Sequence, residues 1–266
     1  MLRVLTLNTW NLSGPWRSRR NEIVEWLRRL APDIVCLQEV VDDGSRSTAA
    51  WLADAARYSA VAFGGAPMSG FGGAEGTQFG NAVLSRWPID ESTSHRLPHD
   101  DDPTDIQRVL LHVRTGGHDV FTTHLAWRFQ VAALREQQVV AIDEIVAAAA
   151  DPAAALPPVL AGDFNADPES TEIRFLSGLA SIGGHSTYWQ DAWRVAGGAG
   201  VGLTWDNRNP FAAAEHEPDR RIDYVFVGWR RDGGAGRVES CRVVCDRALT
   251  GTFASDHFGV VADIAD

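Results

Sequence analysis

Short apolar runs recur along the chain, and most of them end or begin against polar residues of catalytic type. Residues 3–7 read as a short strand. Residues 17–30 carry the helical period, with Ile23, Trp26, Leu27 and Leu30 on one face and Pro32 as a stop signal. Residues 33–37 form a continuous apolar run, as expected of a strand covered on both faces. Residues 48–57 read as a helix, and 60–63 and 81–85 as strands, with a glycine-rich loop over 64–80 between them. Residues 109–114 and 120–123 flank Thr115-Gly116-Gly117, a hairpin signal. Residues 130–149 predict a long amphipathic helix, and the alanine-rich 147–155 its frayed end before Pro157-Pro158. Strands follow at 158–161, 222–227, 238–244 and 258–263. Strands and helices alternate early and strands dominate late. A mixed sheet, or a pair of sheets, with helices outside is the natural packing.

Four strands run into polar clusters: Leu7 into Asn8, Leu37 into Gln38-Glu39, Thr123 into His124, and Gly162 into Asp163-Phe164-Asn165. Two strands start from them: Asp223 precedes Tyr224–Val227, and Asp256-His257 precedes the last strand. If the late strands run antiparallel to the early ones, all six clusters fall on one rim. Ligand sites of open α/β sheets gather at such strand ends. A carboxylate such as Glu39 at the end of a buried strand must find a cation, either a metal or an arginine.

Composition narrows the reading. Hydrophobic residues make up 45% and charged residues 22% of the 266, so a large core is expected and disorder is not. No internal repeat or linker divides the chain, and one domain over 1–266 is the expectation. The formal net charge of −11 leaves no evident basic track for long nucleic acid. It suits a smaller phosphate ester, with a metal supplying local positive charge. The chain has no lysine, which excludes a P-loop lysine, a Schiff-base lysine and a Ser–Lys pair. Its three cysteines form no disulfide framework. With neither a leader-like segment nor an apolar run of membrane-spanning length, a cytoplasmic monomer is expected.

The segments Leu7-Asn8-Thr9-Trp10-Asn11, residues 32–39, Thr123-His124-Leu125, Gly162-Asp163-Phe164-Asn165, Arg221-Ile222-Asp223-Tyr224 and Ser255-Asp256-His257-Phe258 resemble, in order and over the whole chain, the endonuclease/exonuclease/phosphatase (DNase I-like) superfamily. That superfamily includes nucleases, sphingomyelinases, inositol-phosphate phosphatases and tyrosyl-DNA phosphodiesterases. The resemblance implies an α/β (α+β) fold: a four-layer sandwich of two stacked mixed sheets flanked by helices. It implies Mg²⁺, with Mn²⁺ as a substitute, on Glu39, with Asn8 as a ligand or as an orienting group and Asp256 in the metal region. It implies that Asp223 orients His257, that Asp163 positions or deprotonates the attacking water, and that His124 and Asn165 donate to phosphoryl oxygens.

Weaker signals remain two-sided. Asn81 reads equally as a substrate-side residue or a strand-start turn residue. Trp205 reads as a stacking platform for a ring or as a loop residue packed on the sandwich edge. Trp10 and Trp127 follow Asn8 and His124 and are expected to wall the pocket. Arg135 reads as a surface arginine, the run Arg17–Arg20 as a phosphate contact or, more in keeping with its position, as helix capping or decoration, and the run from Asp100 to Pro103 as a solvated loop tip. The expected function is a metal-dependent phosphodiesterase using direct water attack on a small or lipid-derived ester. A nuclease or DNA-repair phosphodiesterase and a phosphomonoesterase are the alternatives. A binding module without activity is disfavoured by the full set of acidic and histidine residues.

Overall fold

The computed structural model describes residues 1–266 other than 46, 69–74, 101, 103 and 104. Its strands in chain order are β1 (Leu2–Asn8), β2 (Ile34–Asp42), β3 (Ala60–Pro67), β4 (Gln78–Ser85), β5 (Ile89–Arg96), β6 (Val109–Thr115), β7 (His118–His124), β8 (Val159–Asp163), β9 (Gln190–Asp191), β10 (Asp223–Val227), β11 (Val238–Val244) and β12 (Gly259–Ile264). Its helices are α1 (Trp16–Leu30), α2 (Thr48–Ala56), α3 (Ala132–Ala149), α4 (Thr171–Leu176), α5 (Ala192–Ala196) and α6 (Pro210–Ala213).

Among the described residues these strands form two six-stranded sheets, ordered β11-β12-β1-β2-β4-β3 and β5-β6-β7-β8-β10-β9. Both are mixed. β1 pairs parallel with β2 and antiparallel with β12, and β8 pairs parallel with β7 and antiparallel with β10. Three apolar clusters account for the layers. One lies between the sheets, around Val4, Cys36, Val113, Ala161 and Val225. A second seals α1 and α2 onto the first sheet through Ile23, Leu27, Leu37 and Leu52. A third seals α3 and α4 onto the second sheet through Phe121, Ile142, Phe164 and Phe226. The expected four-layer sandwich is therefore present.

Several elements differ from the sequence reading. Residues 64–80 are not one loop. β3 runs on to Pro67 and β4 begins at Gln78, so Gly64, Gly65 and Gly80 are paired strand residues. A Cβ at Gly80 would stand 2.1 Å from the Gly64 carbonyl oxygen, so glycine there serves close strand approach. The middle of that stretch lies outside the described residues. β5 is a strand that the hydrophobic pattern does not announce. It is a polar, largely exposed edge strand, IDESTSHR, shaped by pairing with β6. α3 ends at Ala149 and is preceded by a 3₁₀ turn at Phe129–Val131, so 150–155 are not helical. Among the described residues no helix is long and apolar enough to cross a membrane.

The antiparallel placement of the late strands has the anticipated consequence. Register pairs Asp163 with Asp223 on one side and with His124 on the other, while β1 carries Asn8 beside Gln38. The polar strand ends of both sheets thus meet at one rim.

Candidate active site

The rim encloses a cavity of about 480 Å³ lined by Glu39, His124, Asp163, Asn165, Asp256 and His257, among others. Each side chain arrives there by an identifiable local device. Glu39 sits in a β-bulge, where β2 spends one residue more than β4 between Leu37 and Val40. Its backbone is left-handed, φ 57°. Without the extra residue, strand alternation would turn Glu39 away from this rim; the bulge re-aims it. Gly162 lets β8 lie against β7, since a Cβ there would stand 2.0 Å from the Thr123 carbonyl oxygen. Asp163 Oδ1 then accepts the Asn165 N–H at 2.9 Å, closing a turn whose αL residue is Asn165, φ 49°.

Two groupings form. In the first, Glu39 Oε1 accepts from Asn8 Nδ2 at 3.2 Å and Oε2 from Asn11 Nδ2 at 2.8 Å. Among the described residues no arginine pairs with Glu39, so the arginine alternative for this carboxylate is not realised. Asn8 Oδ1 accepts the Trp10 N–H at 2.9 Å, and its Nδ2 also donates to Asp163 Oδ2 at 2.9 Å. Asn8 therefore bridges two carboxylates, which is the orienting role, and its Oδ1 keeps one lone pair beyond the Trp10 N–H. Asp256 is held by Ser255 Oγ and by the His257 N–H through Oδ1. Burial pushes its carboxyl up to about 7; His257 opposes this and Glu39 adds to it. Glu39, held by carboxamides, and Asp256, held by a hydroxyl and a backbone N–H beside the His257 charge, are a donor set that fits a hard divalent cation.

In the second grouping, Asp223 Oδ2 lies 2.9 Å from His257 Nδ1, and His257 Nε2 lies 3.8 Å from Asp163 Oδ2. Burial disfavours the His257 imidazolium, but Asp223, Asp163 and Asp256 outweigh it and push the group up to about 10. Asp163 is pushed up to about 6 by burial and by the neighbouring Asp223, against the pull of His257, Asn8 and the Asn165 N–H. His124 Nε2 stands 3.4 Å from Asp163 Oδ2. Burial, with the charges of Arg108 and His257, holds His124 well below the usual imidazole range. At neutral pH the site therefore contains one imidazolium, one neutral imidazole and two carboxylates, Asp163 and Asp256, near their titration points. Asp163, Asp223 and His257 also bring ligand-capable atoms within 4.8 Å of one another.

The remaining expected residues fall as follows. Asn165 lines the cavity and donates Nδ2 to the Leu125 carbonyl at 3.2 Å. Trp205 lines it too, packed edge-on against His257 with ring centroids 5.0 Å apart. Asn81 lies opposite the bulge, 1% exposed, and donates to the Val109 carbonyl, which puts it behind the lining residues. Trp10 and Trp127 both wall the cavity. Asp102 is bound by Arg128, so that part of the acidic run is not a free tip; Asp101 and Pro103 lie outside the described residues. Arg135 is a buried residue, not a surface one. It pairs with Glu172 at 2.8 Å and caps the carbonyls of Ala126 and Arg128 behind the His124 strand end.

Sequence reasoning missed four positioning residues. Arg19, fully buried, donates to the carbonyls of Thr9, Trp10, Asn11, Ser13 and Ala254. It fixes the Trp10-Asn11 turn, where both residues have positive φ, against the loop that carries Asp256. Asn11 holds Glu39. Thr204 Oγ1 accepts the N–H groups of Ile222 and Asp223, and Asn209 Nδ2 donates to the carbonyls of Ser255 and Asp256. Asn11 ends one of the family-like segments without a role attached to it, and Asn209-Pro210 carries the signal of a helix cap followed by proline at the first helical position.

Comparison with known proteins gives the family and the fold. The chain belongs to the Endonuclease/Exonuclease/phosphatase family, whose model matches residues 8–257 and whose members are hydrolases acting on phosphate esters. An endonuclease/exonuclease/phosphatase from Beutenbergia cavernae is 29% identical, with a TM-score of 0.72 over 99% of this chain and 71% of that one. D. rerio TDP2, complexed with a single-strand DNA product, is 18% identical, with a TM-score of 0.73 over 100% and 99%. A family protein from Leptotrichia buccalis is 16% identical, with a TM-score of 0.70 over the whole of both chains. At such identities the last two show the fold alone. No curated protein sequence matches the chain.

Proposed function

We propose that the protein is a divalent-metal-dependent phosphodiesterase that hydrolyses a small phosphate ester by direct attack of water at phosphorus. The observation that carries this is the pairing, in one cavity, of two carboxylates that form no ion pair with an arginine among the described residues, Glu39 and Asp256, with the Asp163–His257–Asp223 set. Glu39 and Asp256 would hold Mg²⁺ or Mn²⁺. When bound, that ion would supply charge neutralisation for the phosphoryl group. Asp163, with its proton affinity near neutrality, takes the proton of the attacking water. His257, kept protonated by Asp223, donates toward the charge that builds on the phosphoryl oxygens. Neutral His124 and Asn165 are further donors to those oxygens. His257 suits a proton-donating role better than that of a metal ligand, because the surrounding carboxylates keep its imidazole protonated and a ligating imidazole is neutral.

A second reading, a nucleic-acid phosphodiesterase, is favoured by Trp127 on the cavity wall, 46% exposed, which offers a face to a base. The net charge of −11 restricts that reading to short strands. The test is hydrolysis of bis-(p-nitrophenyl) phosphate, p-nitrophenyl phosphate and short single-stranded DNA, each in Mg²⁺ and in EDTA. Diester hydrolysis is expected in Mg²⁺ only. Glu39→Gln is expected to abolish the metal response, and Asp223→Asn to lower kcat by roughly 10²–10⁴-fold. Equal rates in EDTA would contradict the proposal.

A further inference from the structure

Beside the catalytic cavity lies a second one of about 770 Å³, bordered by the residues that follow α4 and α5. Arg220 lines both. Its backbone is pinned to Trp205 by hydrogen bonds in both directions, 2.9 and 2.8 Å, and Trp205 packs on His257. Its guanidinium lies 4.4 Å over the Phe129 ring. The side chain is 7% exposed, yet among the described residues its guanidinium makes no hydrogen bond, and Nε is buried without a partner. Its described ion pair, to Glu217, spans 3.7 Å, too long for a hydrogen bond. A guanidinium carries five donors in a fixed fork, and the terminal nitrogens of this one remain for a ligand in the cavities it lines.

The neighbouring charges are already distributed. Arg221 is bidentate to Asp191 at 3.0 and 2.8 Å. Asp219 is taken by the backbone and side-chain amides of Asn207. Arg174 reaches Glu169 only at 4.0 Å. Arg194 is exposed and has no carboxylate partner among the described residues. Asp167 and Glu169 border the same cavity and Glu215 and Glu217 the catalytic one; the Arg220 charge already acts on Asp167, and these carboxylates bound how much negative charge the place accepts.

We infer that Arg220 forms a second anion subsite, which takes a phosphate group of the substrate other than the one that is cut, at the opening from the catalytic cavity into its neighbour. This deepens the phosphodiesterase reading and rests on it for the identity of the first phosphate. The preferred substrate is then a short ester with two phosphates, of nucleoside or polyol origin.

The test is calorimetric titration, in Mg²⁺, of thymidine 5′-phosphate, thymidine 3′,5′-bisphosphate and glycerol 1,3-bisphosphate, with hydrolysis of bis-(p-nitrophenyl) phosphate measured in parallel. The thymidine bisphosphate is expected to bind on the order of 10-fold or more tighter than the monophosphate, the size of one charge-assisted hydrogen-bonded pair. In Arg220→Gln that ratio is expected to fall to near one, and Arg220→Lys to restore part of it. The glycerol compound separates a polyol source from a nucleoside source. Equal affinities for mono- and bisphosphate in the wild type overturn the subsite whether or not any variant folds, and so does a ratio unchanged in Arg220→Gln. A bisphosphate preference without diester hydrolysis overturns the phosphodiesterase reading and leaves the subsite standing.

Discussion

The Glu39 carboxylate is held by two carboxamides, and this arrangement separates aiming from charge balance. Asn8 and Asn11 fix where both oxygens point, at 3.2 and 2.8 Å, without neutralising them. Asn11 is itself locked, with Oδ1 accepting from the N–H and Oγ of Ser13, and its carbonyl accepting from Arg19. A group that orients a metal ligand sets affinity more than chemistry. Asn11→Ala is therefore expected to raise the Mg²⁺ concentration for half-maximal hydrolysis by roughly 10–100-fold, with the rate at saturating Mg²⁺ little changed. A metal titration of activity reads both numbers. A loss of saturating rate with unchanged half-point would place Asn11 in the chemistry instead.

Among the elements, the strand ends do the positioning and the far ends of the same strands do the anchoring. At the end of β6 and β7 away from the site, Asp119 accepts from the Asp151 N–H at 2.8 Å and from Arg114 at 3.1 Å, and lies 2.8 Å from His112 Nε2. Burial opposes its charge, but these partners together hold the carboxyl below its ordinary value. A depressed folded value means the stabilisation is present above the unfolded value near 4 and is lost as pH falls through the folded one. Asp119→Asn is expected to lower stability by about 1–2 kcal/mol at pH 6–8, and the deficit should shrink below about pH 4. Urea melts across that range check it; a deficit that grows in acid would reverse the sign. The sequence disclosed these strands wherever apolar runs met polar ends, because β1, β2, β8 and β12 are buried on both faces. It did not disclose β5, whose eight residues are mostly polar and depend on pairing with β6 for their shape. It read residues 64–80 as a loop because glycines demanded by close strand approach look like turn glycines. Glu39, Asp163, Asp223 and His257 were legible because each abuts an apolar run. Arg19 and Arg135 were not, since a buried arginine that caps carbonyls has the same local sequence as a surface one.

For the molecule as a whole, both sheets contribute to one rim, and that rim concentrates acid. Glu39 and Asp256 come from the first sheet and its flanking loop, Asp163 and Asp223 from the second. Their mutual repulsion is a cost to the folded state that a bound cation relieves. A ligand that binds only the folded state stabilises it by mass action, about 2.7 kcal/mol at one hundred times its Kd. For a chain of 266 residues that corresponds to a Tm rise of roughly 5 °C or more. Thermal melts in Mg²⁺ are expected to show that rise and EDTA to reverse it. An Asp256→Asn variant should lose most of the Mg²⁺-dependent increment while melting no lower than the wild type in EDTA. A Tm indifferent to Mg²⁺ at every concentration would argue that the rim binds no such ion.

The most direct measurement is anomalous diffraction from crystals soaked in Mn²⁺. The account predicts a peak within ligand distance of the Glu39 carboxylate, with His257 still bonded to Asp223. A peak instead among Asp163, Asp223 and His257, with the His257–Asp223 hydrogen bond broken, would contradict it.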